Sequence, residues 1–204
     1  MLAEEFEYKY ILSEDDVERI QQKLKGYDNS SRIQINYIYD NDKCELNSHR
    51  TTVRIRQLNN KLTLDVKIPI PKYENGPLAG NIEHSFLVNE LPQSIDTNAL
   101  KIENMPVRGI VTLVGSIVTH RTNYRIIPGI DVSIDKNWYL GCLDYELEVE
   151  FIASLKEKAA NLIREILGDD FEYIEMEGKR SRFINLLQRT NECVISYEQL
   201  EVKK

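Results

Sequence analysis

Alternation of apolar and charged positions is the dominant pattern along this chain, and it predicts strands. In residues 5–12 the alternation places Glu5, Glu7 and Lys9 on one face of a strand and aromatic residues on the other. Similar patterns predict further strands over 33–39, 51–58, 61–68, 82–91, 117–126, 130–136 and 143–151. Many short strands separated by turns are typical of a barrel or a sandwich. The pattern therefore predicts an α+β protein that is mostly antiparallel β.

Capping signals predict helices between and after the strands, where they would pack outside the sheet. Ser13 with Asp16 resembles a capping box at the start of a helix that stops at residue 26. Ser154 with Glu157 predicts the start of a second helix, and a last helix is expected from about Lys179.

Three segments have weaker patterns. Residues 68–81 contain three Pro and two Gly and are predicted to form a loop. Short helical regions are expected from about Asp96 and again after Pro106. The tail 188–204 has no clear pattern. We expect one domain over residues 1–204, because a barrel of this length is commonly a single unit.

Composition limits the function classes and the location. The net charge of −7 argues against a general nucleic-acid binder, which would usually be basic. No apolar run approaches the roughly 20 residues that cross a bilayer, and the acidic start has no apolar signal region. The sparse, odd cysteine set of Cys44, Cys142 and Cys193 indicates a reducing compartment. We therefore expect a cytoplasmic protein without a membrane partner.

Charge is distributed unusually between the predicted strands. Glu146, Glu148 and Glu150 share one strand face, whereas Arg54 with Arg56 occupies one face of another. A sheet with one solvated face is the common explanation for such alternation. Carboxylates at spacing two repel one another, however, and acid-rich and base-rich strands are separate here. The pattern favours a wet, charged barrel interior that holds an anion and a cation together.

The residue types in these faces indicate the chemistry. Carboxylate oxygens suit hard divalent cations such as Mg²⁺ or Mn²⁺. Arginine and lysine match phosphate oxygens, and arginine does so with two parallel hydrogen bonds. Acidic and basic strands together therefore predict a site for a metal–triphosphate complex.

Several short motifs occur in a characteristic order along the chain. Glu5-Phe6-Glu7-Tyr8-Lys9 forms an ExExK pattern, and further motifs lie at 53–56, 64–69, 113–121, 144–150 and 179–183. These motifs and their order resemble those of the CYTH (triphosphate tunnel metalloenzyme) family, which ExExK opens, and specifically its YjbK-like bacterial subgroup. The resemblance covers about residues 1–187. It implies an eight-stranded closed antiparallel tunnel, a divalent metal ion and a triphosphate-bearing substrate.

The resemblance implies a role for each charged set. The metal ligands would be Glu5, Glu7, Glu148 and Glu150, supported by Glu146. The phosphate oxygens would be bound by Lys9, Arg54, Arg56, Lys67, Arg121, Arg125 and Lys179. The catalytic set would be Lys9, Glu83 and Asp135, with either carboxylate orienting the attacking water or a second metal ion. His120 precedes Arg121 in a strand and would point outward.

Four functions stay open at this point. Water could attack the terminal phosphorus of inorganic, nucleoside or thiamine triphosphate, which would make the protein a triphosphatase. A ribose hydroxyl could attack instead and release pyrophosphate, as in class IV adenylate cyclases. The barrel could also bind polyphosphate or a nucleotide without turnover, or be structural only. The sequence leaves the oligomeric state open between monomer and dimer.

Overall fold

The computed structural model of the chain describes residues 2–70, 78–168, 171 and 177–191, with residues 2–5 and Asn191 described through their backbone alone. Nine strands and four helices lie within these residues. The strands are β1 (Leu2–Leu12), β2 (Asp28–Asp40), β3 (Thr52–Leu58), β4 (Lys61–Pro69), β5 (Leu78–Val88), β6 (Ser94–Asp96), β7 (Ile110–Ile127), β8 (Ile130–Tyr139) and β9 (Cys142–Phe151). The helices are α1 (Glu14–Leu24), α2 (Glu45–Ser48), α3 (Lys156–Leu167) and α4 (Lys179–Asn191).

Eight of the strands form a closed antiparallel barrel. Their order is β2-β3-β4-β5-β1-β9-β8-β7, and pairing between β2 and β7 closes the ring. The short strand β6 pairs with the start of β7 outside this ring. The fold predicted from the sequence resemblance is therefore confirmed. Closure removes the sheet edges that would otherwise leave backbone groups unpaired.

The apolar faces of the strands point outward and are covered by helices and loops. Val149 and its neighbours pack with Ile20 of α1 and Ile163 of α3 in one cluster. Val53 and Val66 belong to a second cluster, which the segment after β6 covers. Each such side chain contributes roughly 1.5–3 kcal/mol by leaving water. Since alternate residues face opposite sides of a strand, the polar residues are left in the barrel interior.

The predicted capping box at α1 is confirmed. The Ser13 hydroxyl accepts a hydrogen bond from the Asp16 amide at 3.1 Å, and the Asp16 carboxylate accepts one from the Ser13 amide at 3.1 Å. The predicted box of Ser154 with Glu157 is wrong. A 3-10 turn over Ala153–Leu155 delays the start of α3 to Lys156, and no side chain caps that helix.

The helices predicted after Asp96 and Pro106 are also wrong. Asp96 ends β6, and the following residues form turns that connect it to β7. The buried Thr97 hydroxyl lies 2.9 Å from the Val107 carbonyl and accepts a hydrogen bond from the Gly109 amide at 3.0 Å. These bonds, together with positive φ at Lys101, replace helical hydrogen bonding.

The predicted loop 68–81 is shorter than expected at both ends. Strand β4 continues to Pro69, and β5 begins at Leu78. The Ile70 amide donates to the Gly80 carbonyl at 2.8 Å, which extends the pairing by one step. Residues 71–77 and the tail beyond Asn191 lie outside the described residues. Within the described part of the chain, the helices are too short or too polar to cross a membrane.

Candidate functional site

The barrel encloses a cavity of about 710 Å³. Strands from around the ring line it, together with α2 and the first turn of α4. The predicted site residues among its lining are Glu7, Lys9, Arg54, Arg56, Lys67, Glu83, Arg121, Glu148, Glu150 and Lys179. The structure therefore brings together acids and bases that are far apart in sequence.

Strand register explains how the acidic wall forms. Strand β1 lies beside β9, with Glu7 opposite Glu150 and Lys9 opposite Glu148. Glu7 and Glu148 are each only 3 % exposed. Glu5 lies on the same strand opposite Asn81 of β5, and its side chain lies outside the described residues.

Three of these acids form a group that we call the open carboxylate cluster: Glu7, Glu148 and Glu150. One carboxylate oxygen from each lies within 4.8 Å of the others. The Lys9 ammonium lies 2.7 Å from Glu7 and 3.7 Å from Glu148. All three acids line the cavity, so a cation that enters the barrel meets three carboxylates. Such an oxygen-only set suits a hard divalent ion.

A second group, the closed carboxylate cluster, consists of Asp135, Glu146 and Glu148. Its ligand oxygens also lie within 4.8 Å of one another, and all three side chains are buried. Asp135 and Glu146 are not among the residues that line the cavity. The two clusters share Glu148, but only the open cluster faces the cavity with all its members.

Cations from two elements neutralise the closed cluster. Arg121 donates two hydrogen bonds to Asp135 at 2.6 Å each, and a third to Glu148. Lys179 of α4 contacts Asp135 and lies 3.1 Å from both Glu146 and Glu148. Arg182, one helical turn later, lies 2.9 Å from Glu146. The start of α4 is therefore held in the barrel by ion pairs.

These ion pairs determine the protonation states of Glu148 and Lys9. Burial disfavours the Glu148 carboxylate, but Arg121, Lys179 and Lys9 outweigh it and hold its pKa well below the usual range. Burial likewise disfavours the Lys9 ammonium, but Glu7, Glu148 and Glu146 raise the pKa of Lys9 above its ordinary value. At neutral pH Lys9 is therefore a cation suited to binding an anion, and it is not a proton acceptor.

Strands β3 and β4 supply a basic wall. Arg54 and Arg56 each lie 3.1 Å from the buried carboxylate of Asp65. The side chain of Arg56 is 31 % exposed, so Asp65 positions it without enclosing it. Lys67 pairs with Glu83 of the neighbouring strand, and both line the cavity. The ion pairs thus position the guanidinium and ammonium groups along one side of the cavity.

Arg125 is the one predicted phosphate-binding residue that the structure places away from the cavity. It is exposed and is not among the lining residues, although it shares a strand face with Arg121. Strand β7 continues beyond Arg121, and four residues of strand correspond to roughly 13 Å. His120 lies on the opposite face from Arg121 and is not among the lining residues either, as its position in the strand predicts.

One hydrogen-bond network that supports the acids was not predicted from the sequence. Asn137 donates to Asp144 at 3.0 Å, and Tyr139 donates to the other oxygen of Asp144 at 2.5 Å. Burial and this bond raise the pKa of Tyr139 to about 12. Arg182 also donates to Asp144 at 2.9 Å. The spacing of Arg182 from residue 179, one helical turn, was a signal that could have indicated its role.

Strand β2 contributes a further wall, to which no role was assigned from the sequence. Arg32, Gln34 and Asn36 all line the cavity, at alternate positions of the strand. Their alternation with apolar residues in 32–37 is visible in the sequence. The prediction used the apolar positions of this strand and assigned no role to the polar ones.

Comparison with known proteins identifies relatives. The CYTH domain model matches residues 3–179. A Bacillus subtilis (strain 168) protein named as a candidate triphosphatase, YjbK, is 28 % identical over 155 residues, which cover 72 % of this chain and 76 % of that protein. Its similarity agrees with the YjbK-like resemblance in the sequence.

Solved structures share the fold. A candidate adenylate cyclase from Bacillus halodurans has a TM-score of 0.67 and 23 % identity, covering 87 % of this chain and 95 % of that one. A second structure is a candidate adenylyl cyclase from Hippeastrum, which is described as having a dominant triphosphatase activity. It has a TM-score of 0.68 and 20 % identity, and the match covers 89 % of this chain and 95 % of that one. At these identities the likeness extends to the fold. Because the family model spans most of its length, this chain belongs to the CYTH domain family.

Proposed function

We propose that this protein is a divalent-metal-dependent hydrolase that removes the terminal phosphoryl group from a triphosphate-bearing small molecule. The observation that carries the proposal is the joint presence of the open carboxylate cluster and a basic wall in one cavity. Membership of the CYTH family and the similarity to YjbK support it. The cysteine content supports a cytoplasmic location.

The open carboxylate cluster fits a divalent ion such as Mg²⁺ or Mn²⁺. Glu7, Glu148 and Glu150 offer oxygens within 4.8 Å of one another, and Mg²⁺ commonly uses a few carboxylates while keeping several waters. When bound, the ion would neutralise charge on the phosphate oxygens. Glu5 is proposed to add a further ligand because it precedes Glu7 by two residues on β1. The closed cluster fits less well, since Asp135 and Glu146 do not line the cavity.

The basic residues would bind and orient the triphosphate. Arg54, Arg56 and Lys67 present cations from one side of the cavity. Lys9, Arg121 and Lys179 present cations beside the acids. Positioning and charge neutralisation account for most of the catalysis of phosphoryl transfer, so fixed cations on both sides are the main requirement.

The proposed catalytic carboxylates differ in how free they are to act. Asp135 accepts hydrogen bonds from both Arg121 and Lys179, which supports a positioning role for it. Glu83 lines the cavity and contacts Lys67 through one oxygen, Oε1. We therefore propose that Glu83 orients the water whose oxygen bonds to the terminal phosphorus as the bridging P–O bond breaks. Arg125 is exposed, and its proposed role is limited to attracting the substrate anion.

A phosphate-release assay tests this function. The substrates are inorganic triphosphate, thiamine triphosphate and ATP, each with Mg²⁺ or Mn²⁺ and with EDTA. Glu150→Gln removes one carboxylate of the open cluster with a side chain that is 26 % exposed, so folding should persist. We expect the variant to lose roughly 100-fold in kcat/KM, since even weaker perturbations of metal sites cost 10–100-fold.

The matched control is Glu157→Gln, the same change at an exposed position of α3, which should retain wild-type turnover. Wild-type rates in EDTA or in Glu150→Gln would refute the metal site. Formation of cyclic nucleotide from ATP in place of orthophosphate would identify a cyclase. Absence of any product, combined with tight binding of triphosphate, would identify a binding protein.

A further inference from the structure

The β2 wall of the cavity carries uncharged amides that no described group satisfies. Gln34 and Asn36 are 3 % and 2 % exposed, and both line the cavity. The Oε1 atom of Gln34 and both amide atoms of Asn36 have no hydrogen-bond partner among the described residues. The Oδ1 atom of Asn47, which also lines the cavity, has none either.

Such groups are unusual in a protein interior. Burying an amide without a hydrogen bond is unfavourable, and native proteins pair the large majority of their buried polar atoms. Three amides with unpaired atoms around one cavity therefore point to a ligand that completes them. Neither Gln34 nor Asn36 takes part in the ion-pair networks that hold the other walls.

The position of this wall within the ring defines what it contacts. Strand β2 lies four strands from β1 in either direction around the barrel, so the amides lie across the cavity from the open carboxylate cluster. Asn36 lies opposite Arg56 of the neighbouring strand β3. A phosphate chain bound between the acids and Arg56 would therefore direct its far end toward Gln34 and Asn36.

Phosphate oxygens alone cannot satisfy all the hydrogen-bonding groups of these amides. An amide presents one acceptor oxygen whichever way its oxygen and nitrogen are assigned. Ionised phosphate offers acceptor oxygens and no donor, so it leaves the amide oxygens unpaired. A hydroxyl group both donates and accepts, and it completes each half of an amide.

Two further features concern the organic part of such a ligand. Among the described residues that line the cavity none is aromatic, so the wall lacks the stacking surface that commonly binds a flat base. The cavity volume of about 710 Å³ lies in the range of sites that bury organic ligands, roughly 300–1,000 Å³.

We propose that Gln34 and Asn36 form a hydroxyl-binding subsite that selects triphosphates carrying a sugar, such as nucleoside triphosphates, over inorganic triphosphate. The inference rests on the proposed function and specifies its substrate class. Recognition comes from the sugar hydroxyls, and the base is bound without a dedicated aromatic contact.

Binding and turnover of matched substrates test the subsite. Dissociation constants are measured by calorimetry in EDTA for ATP, 2′,3′-dideoxy-ATP and inorganic triphosphate, and kcat/KM is measured separately with Mg²⁺. The variants are Gln34→Met and Asn36→Leu, which keep side-chain size. The control is Gln57→Met on β3, since Gln57 is absent from the cavity lining and bonds Tyr37.

The wild-type protein is expected to bind ATP about tenfold more tightly than the dideoxy analogue, as two lost hydrogen bonds imply. Each amide variant should lose most of this preference while its affinity for inorganic triphosphate changes less than about twofold. Gln57→Met should retain the preference.

Equal wild-type affinity for ATP and its dideoxy analogue would overturn the subsite, with no variant needed. An equal loss for all three ligands in the amide variants would overturn it as well, because it would show a structural role. Binding discrimination without any turnover would refute the proposed hydrolase and leave the subsite standing. Turnover of inorganic triphosphate, without any preference for ATP over its dideoxy analogue, would refute the subsite and leave the proposed hydrolase standing.

Discussion

Replacement of Lys179 by Met removes the cation at the centre of the closed carboxylate cluster. The Lys179 ammonium lies 3.1 Å from both Glu146 and Glu148 and also contacts Asp135. Its side chain is 11 % exposed, so solvent screens these pairs little. Burial disfavours the charged form, but the three carboxylates outweigh it and raise the pKa of Lys179. The substitution therefore leaves three buried carboxylates with one fewer counter-charge.

The expected loss of stability is large for a single substitution. Removing one partner of a buried ion pair costs about 3–5 kcal/mol, because the remaining charge stays buried. Methionine retains most of the aliphatic volume, so a cavity adds little. For a protein of this size 1 kcal/mol corresponds to roughly 2–4 °C in Tm. A loss of about 3 kcal/mol would lower Tm by roughly 6–12 °C.

The pH dependence provides an independent check. The pKa values of Glu146 and Glu148 are lowered in the folded protein, from an ordinary value of 4.5. Their ion pairs therefore stabilise the fold above about pH 4.5, and this contribution is lost as the pH falls through the folded-state values. The difference between wild type and Lys179→Met should be constant near neutral pH. It should shrink below about pH 4.5.

Urea unfolding without divalent metal measures the effect. Lys158→Met is the matched control, because Lys158 is exposed on α3 and should lose less than about 0.5 kcal/mol. If Lys179→Met unfolds within that margin of the control, the cluster does not depend on Lys179 and the reasoning fails. A difference that grows on acidification would also contradict it.

Three further predictions concern the helix α4, the open cluster and the helix α1. Gly115→Ala would place a Cβ atom 2.6 Å from the Phe183 ring of α4, at a residue with φ +152°. Urea unfolding should therefore show a loss of about 1–3 kcal/mol in the free energy of unfolding. The control Gly26→Ala, where the added Cβ meets open space, should stay near wild type. Glu7→Gln removes an open-cluster carboxylate, so the Tm increase caused by saturating Mn²⁺ should largely disappear; an unchanged increase would place the ion elsewhere. Ser13→Ala removes the α1 cap and should cost about 1 kcal/mol in urea unfolding, and no loss would show that the cap is dispensable.

The strand faces were predictable because side chains alternate with a period of two in any strand. Glu146, Glu148 and Glu150 share the interior face as predicted. The position of a residue along the length of the barrel was not predictable. Arg121 and Arg125 share a strand face, but only Arg121 reaches the cavity. Alternation specifies a face and carries no information on where a strand leaves the barrel.

Other features of the fold depend on contacts between segments that are distant in sequence, and local patterns did not predict them. Closure of the barrel needs β2 to pair with β7, and no local pattern indicates that pairing. The turns after β6 depend on the Thr97 hydroxyl, which contacts a carbonyl ten residues later. The resemblance supplied the closed fold that local patterns left undecided between a barrel and a sandwich.

The charges around the two carboxylate clusters support the proposed divalent-ion site. Six carboxylates lie together there: Glu7, Asp135, Asp144, Glu146, Glu148 and Glu150. The cations paired with them are Lys9, Arg121, Lys179 and Arg182. The carboxylates outnumber the cations in this set, and a divalent ion at the open cluster would reduce the excess. Loss of Lys179 increases the excess, so that variant should bind Mn²⁺ more tightly than wild type while its metal-free fold becomes less stable.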